Sequence, residues 1–102
     1  MTEIQKIESW NPPIWHKDFG DASIELNILK TLCLFINNLD FNYLFHLDCF
    51  EDGYMKVDVF KHEKMYLEIY VVDVKTERVG LFFQNGKEVY IQDIKEVEKY
   101  LN

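Results

Sequence analysis

The sequence predicts an α+β domain in which an N-terminal helix packs on one face of a five-stranded antiparallel meander, closed by a short C-terminal helix. Three observations carry this. Between Tyr43 and Ile91, apolar side chains fall on odd-numbered positions through successive short segments: Tyr43, Phe45, Leu47, Cys49; Met55, Val57, Val59; Met65, Leu67, Ile69, Val71; Val79, Leu81, Phe83; Val89, Ile91. Successive side chains of a strand point to opposite faces, so period two marks strands with one buried face. Glu51-Asp52-Gly53 and Gln84-Asn85-Gly86 read as three-residue hairpin loops whose glycine takes the left-handed conformation that closes a G1 bulge. Ahead of the strands, residues 21–39 carry apolar residues at helical spacing.

Residues 1–20 form an irregular N-terminal segment. Ile4, Ile7 and Trp10 have helical spacing, but Asn11-Pro12-Pro13 interrupts regular structure because proline fixes φ and lacks a donor. Trp10, Ile14, Trp15 and Phe19 are a heavy apolar load for a loop; the favoured reading is that they cover the following helix, the other that they present an aromatic knob to a partner. Asp21 is the expected N-cap of the 21–39 helix. Ile24, Ile28, Leu32, Phe35, Ile36 and Leu39 line one face with Leu29 and Cys33 beside them, while Leu26 and Leu34 fall near the polar strip. A helix this apolar needs cover on more than one side, from the sheet and from either the tryptophan segment or a second subunit.

The loops then decide register across residues 43–91. A three-residue loop pairs odd with odd: Cys49 with Met55, Leu47 with Val57, Leu81 with Val89, Val79 with Ile91. A two-residue Asn85-Gly86 loop would set Phe83 against Glu88 and split the apolar set across both faces. After the last strand, Asp93 and Glu96 make a capping box for a helix over 93–101, whose stripe of Ile94, Val97 and Leu101 suffices to dock at a sheet edge. With 102 residues the chain is one domain, long enough for a single core.

Even-numbered residues form the opposite face: aromatics such as Phe50, Tyr54, Tyr66, Tyr70, Phe82 and Tyr90 interleave with Asp48, Asp58, Glu68 and Glu88. The expected registers put Lys56 between Asp48 and Glu68, Asp58 between His46 and Tyr66, Tyr54 opposite Tyr70, and Gly80 between Tyr70 and Tyr90. Rigid aromatic area with charge for orientation is what protein interfaces use; the competing explanations are ordinary sheet stabilisation and burial of this face under residues 1–20. Asp48, Tyr54, Asp58, Tyr66, Glu68, Tyr70, Phe82 and Glu88 are therefore the candidate partner-binding residues.

Charge agrees. Eighteen acidic residues against 11 basic ones give a net charge of −7, which argues against nucleic-acid binding and fits a basic protein partner. No apolar run approaches a membrane span, the N-terminus lacks a signal-peptide layout, and Cys33 and Cys49 sit on apolar faces as packing thiols, so the expected compartment is the cytoplasm. No catalytic, cofactor or metal site is expected. His46 and Asp58 lack a nucleophile, with Cys49 facing the core, and His16, His46 and His62 lie on different elements without metal-ligand spacing. The glycines cradle no phosphate, and Asp48-Cys49-Phe50-Glu51-Asp52-Gly53 lacks the alternating oxygen ligands of a calcium loop.

The run Val79-Gly80-Leu81-Phe82-Phe83-Gln84-Asn85-Gly86-Lys87-Glu88-Val89-Tyr90-Ile91, leading into Asp93-Ile94-Lys95-Glu96-Val97, resembles the tail of small bacterial immunity proteins. Those proteins neutralise secreted toxins such as contact-dependent-inhibition effectors. The resemblance implies a non-enzymatic protein that occludes a toxin's active site, often a basic nuclease cleft; it assigns no individual residue. The alternative from another class is a secretion-chaperone-like or structural homodimer that uses the over-apolar helix to bind a client or a twin subunit.

Overall fold

The computed structural model describes residues 1–12, 19–50 and 53–101. Helices α1 (Glu3–Glu8) and α2 (Phe19–Leu39) precede strands β1 (Tyr43–Cys49), β2 (Met55–Lys61), β3 (Lys64–Asp73), β4 (Arg78–Phe83) and β5 (Glu88–Ile91), and a 3₁₀ helix (Ile94–Tyr100) follows. The strands form one sheet in chain order, each neighbour antiparallel, so the expected α+β meander is the observed fold.

The two glycine loops close as the sequence requires. Gly53 and Gly86 have φ of 89° and 92°, and their N–H groups donate to the carbonyls of Phe50 and Phe83. The odd registers follow: Cys49 faces Met55, Leu47 faces Val57, Leu81 faces Val89 and Val79 faces Ile91. Tyr43, Phe45, Met55, Val57, Val59, Leu67, Ile69, Val79, Leu81, Phe83 and Ile91 are buried in one cluster with the inner face of α2. Cys49 departs from expectation: at the end of β1 it lies beyond the core's cover and is exposed, while Cys33 is buried and both thiols are free.

The β2–β3 connection has no glycine and solves the parity problem differently. Lys61 pairs with Lys64 across a two-residue turn in which His62 and Glu63 both take positive φ (53° and 64°), the pattern of a type I′ turn. Such a turn pairs odd with even, so Phe60 meets Met65. A bulge between Val59 and Phe60 then inserts Tyr66 as the extra residue and restores odd-with-odd pairing at Val59–Leu67 and Val57–Ile69. Two expectations change. Met65 moves off the core face, and Tyr66 moves onto it, stacking edge-on with the rings of Tyr43 (5.6 Å) and Phe83 (5.9 Å). The registers also shift by two: Asp58 faces Glu68 instead of Tyr66 and Val57 faces Ile69, so continuing the register by one residue sets Lys56, not Tyr54, level with Tyr70.

Helix α2 begins at Phe19, so Asp21 lies in its first turn, where it favours the helix dipole, instead of capping it. Its buried side is rotated from expectation. Ala22, Leu26, Ile28, Leu29, Leu32, Cys33 and Ile36 are buried, whereas Ile24 and Leu39 are 50% and 40% exposed. The reason lies in residues 1–12, which are more regular than their sequence suggests. Thr2 and Gln5 form a capping box for α1, Ile7 is fully buried, and Trp10 packs half-buried against the core beside Leu26. A six-residue helix has no stability of its own; α1 is held by that burial, by the Lys30 ammonium donating to the Glu8 carbonyl (3.0 Å), and by the Phe45 N–H of β1 donating to the Glu3 carboxylate (2.8 Å). The second cover that α2 needs thus comes from the chain itself. Ile14 and Trp15 lie outside the described residues.

The C-terminal element keeps its predicted capping box, Asp93 with Glu96, but winds as a 3₁₀ helix. Val97 is buried, and Ile94 and Leu101 pack half-buried against the core, so the element docks on α2 as well as on β5. Among the described residues no helix is long and apolar enough to cross a membrane.

Candidate functional site

With α2, α1 and the 3₁₀ helix packed around the odd face and the β1 edge, the even face remains open among the described residues. Its residues fall in two rows across the sheet. One runs His46, Asp58, Glu68, Phe82, Glu88 from β1 to β5; the other runs Asp48, Lys56, Tyr70, Gly80, Tyr90.

At the β1–β3 end the rows make a charge cluster around one cation. The Lys56 ammonium lies 2.6 Å from the Glu68 carboxylate and 3.1 Å from Asp58 Oδ1, and the Glu68 hydrogen bond, followed by the contact with Asp58, outweighs burial and holds Lys56 protonated well above the ordinary lysine range. Asp58 is the buried member, its side chain only 10% exposed. Its Oδ1 accepts no hydrogen bond of good geometry, so the contact with Lys56 is coulombic. Burial, and then the neighbouring carboxyl of Asp48, raise Asp58 above the usual aspartate range. His46 pairs with Asp48 (3.0 Å) within its own strand. The expected placement of Lys56 between Asp48 and Glu68 therefore holds in part: Asp48 is its register partner on β1 and Glu68 its ion pair, but the second carboxylate in contact is Asp58, not Asp48.

At the β4–β5 end the arrangement is aromatic. The Tyr70 ring lies over Gly80, where a Cβ would come within 2.3 Å of its Cζ. The glycine is therefore required by the close approach of the ring. From there the Tyr70 hydroxyl reaches across β4 to donate to Glu88 (2.8 Å), and Tyr90 donates to the other oxygen of the same carboxylate (2.5 Å). These two donors, Tyr90 first, pull Glu88 below the usual glutamate range, while burial and then Glu88 push the Tyr70 phenol up. The Arg78 guanidinium lies over the Tyr90 ring, its Cζ 4.7 Å from the ring centroid. Phe82, between Glu68 and Glu88, is 38% exposed.

Of the candidate residues, Asp48, Asp58 and Glu68 gather around Lys56, and Tyr70, Phe82 and Glu88 form the aromatic end. Tyr54 sits at the lower rim against Phe50 (5.6 Å between rings), and Tyr66 is on the core side. Sequence reasoning missed Arg78 and Met65. Arg78 was signalled by its even number in the β4 pattern. Met65 was not, because its side depends on a bulge.

For chemistry the face offers hydrogen-bonding phenols, paired carboxylates and apolar area. Among the described residues no group of three His, Cys, Asp or Glu side chains is placed to hold a metal ion. Comparison with protein-family models, with curated proteins and with solved structures finds no match.

Proposed function

We propose that this chain is a non-enzymatic binding protein that neutralises a basic partner by direct occlusion, acting in the bacterial cytoplasm as an immunity protein against a toxin with a basic active-site cleft, such as a nuclease. The observation that carries the reading is the open even face, where exposed Phe82 and Tyr90 flank the fixed carboxylate of Glu88. Aromatic anchors supply area at low entropy cost, and a net charge of −7 steers a basic protein toward them. Asp58 contributes through the Lys56 cluster, since its own carboxylate is buried.

Capture of partners from the source cell by tagged protein at low and moderate salt tests this. One basic protein in stoichiometric yield, lost as salt rises and lost with Phe82→Ala or Glu88→Lys while circular dichroism is unchanged, is the expected result. Full capture by both variants would remove the even face from consideration. The second reading, a chaperone-like or structural homodimer, is favoured by exposed apolar residues on the same face, Leu44, Phe50 and Tyr54, and by Phe41 at 80% exposure. A dimeric mass at micromolar concentration would support it.

A further inference from the structure

We propose that the partner contributes an extended basic strand that adds to the open edge of β5, seating one Arg or Lys side chain on Glu88. The inference rests on the open face being a protein-binding surface, and adds the route and the chemistry of the contact.

The backbone sets the edge. Phe83 N–H donates to the Lys87 carbonyl (2.8 Å) and Gly86 N–H to the Phe83 carbonyl (3.0 Å), which makes Phe83–Lys87 the closing bonded pair of the hairpin. Bonded and non-bonded pairs alternate in an antiparallel ladder, so Leu81–Val89 and Val79–Ile91 are the next bonded pairs. The N–H and C=O groups of Glu88 and Tyr90 therefore point away from β4, and no described residue takes them. The opposite edge is treated differently. On β1 the outward N–H groups of Tyr43 and Phe45 are taken by the Asp40 carbonyl (3.3 Å) and the Glu3 carboxylate (2.8 Å). One edge of the sheet is shielded along its first half and the other is left as a template.

The side chains set the occupant. Glu88 is ionised, gripped by two phenols, and among the described residues has no cation in ion-pair contact; Arg78 is committed to the Tyr90 ring. A carboxylate held between aromatic rings fits a guanidinium or ammonium, which gains a charge-assisted hydrogen bond and ring contact together. A strand laid about 4.8 Å beside β5 would place alternate side chains next to Glu88 and Tyr90 on the open face and the others toward half-buried Val89. The fitting sequence alternates basic with apolar residues. A second copy of β5 offers Glu88 and Tyr90 on that face, with no cation, and carries the same net charge of −7.

The probe is a capped ten-residue peptide alternating Arg with Val, compared with a peptide of the same composition in two blocks. Each is titrated into the full ¹⁵N-labelled chain, followed by anisotropy and by amide exchange. The alternating peptide is expected to bind more tightly, to slow exchange at the Glu88 and Tyr90 amides, and to lose about tenfold in affinity on Glu88→Gln. Equal binding of both peptides with those amides unaffected overturns the edge route while leaving an acidic face that attracts basic chains. Failure of both peptides to bind, with a basic protein still captured from the cell, also overturns it. Slow exchange at both amides without peptide, together with a doubled mass, assigns the edge to a second copy and overturns it too.

Discussion

Replacing Gly80 with alanine isolates the contact that builds the aromatic end of the open face. An added Cβ would lie 2.3 Å from Tyr70 Cζ and 2.7 Å from its Cε1 and Oη, so the ring must leave. Crowding of this kind costs about 1–3 kcal/mol, and losing the Tyr70–Glu88 hydrogen bond adds about 0.5–1.5 kcal/mol. Two things act against this: the ring is half-buried and can swing into solvent, and alanine restricts the unfolded chain by about 0.5–1 kcal/mol relative to glycine. The net expectation is a loss of about 2 kcal/mol. In a Tyr70→Ala background nothing occupies the space, so Gly80→Ala should be neutral or mildly stabilising, giving a coupling of about 2 kcal/mol. Urea denaturation of the four proteins followed by circular dichroism measures it. An equal cost of Gly80→Ala in both backgrounds would mean that backbone conformation, not Tyr70, requires the glycine.

Two further predictions follow from the same geometry. His62 and Glu63 hold positive φ without the residues that favour it, each at about 1–2 kcal/mol, so the pair His62→Asn and Glu63→Gly should raise the melting temperature; an unchanged or lower value would show that the turn is not strained. Asp58 has a folded-state pKa raised above its unfolded value, so its ionisation opposes folding at neutral pH and that opposition is relieved as pH falls through the folded pKa. The stability of the native chain relative to Asp58→Asn should therefore improve from neutral to mildly acidic pH. Asp40, Glu88 and Glu96, whose pKa values are lowered, act with the opposite sign in both proteins and cancel in the difference, so a flat or reversed difference would refute the assignment.

The sheet was legible wherever a local signal set its parity. Gly53 and Gly86 announce their loops, the odd apolar set follows, and Tyr70, Gly80 and Tyr90 fall in one row as expected. The β2–β3 turn carries no such signal, because His62 and Glu63 enter the left-handed region under tertiary constraint rather than by preference. Met65 and Tyr66 exchange faces for that reason: the two-residue turn reverses their parity, and the bulge restores it from Leu67 onward. Helix α2 was misread by about a quarter turn because its buried side answers to two covers, and periodicity alone does not show where α1 and Trp10 lie. Leu26 marks the difference, being apolar beside a polar strip yet 2% exposed.

The bulge also bears on what the face can bind. Without it, the two-residue turn at His62-Glu63 would carry odd-with-even pairing through β3, setting Leu67 opposite Asp58 and Ile69 opposite Lys56 and so moving the apolar residues of β3 to the partner side. By absorbing Tyr66 against Tyr43 and Phe83, the bulge closes the upper margin of the core and brings Glu68 level with Asp58 on the open face, so that Glu68 with Phe82 and Tyr70 with Gly80 continue the rows that reach β5. Tyr70 can then cross a strand that has no side chain at position 80 and fix Glu88 at the sheet edge. The open face therefore presents its outermost carboxylate already ordered. Little side-chain entropy remains to be lost there on binding, and the β5 end, rather than the self-compensated Lys56 cluster, is where a basic partner gains most.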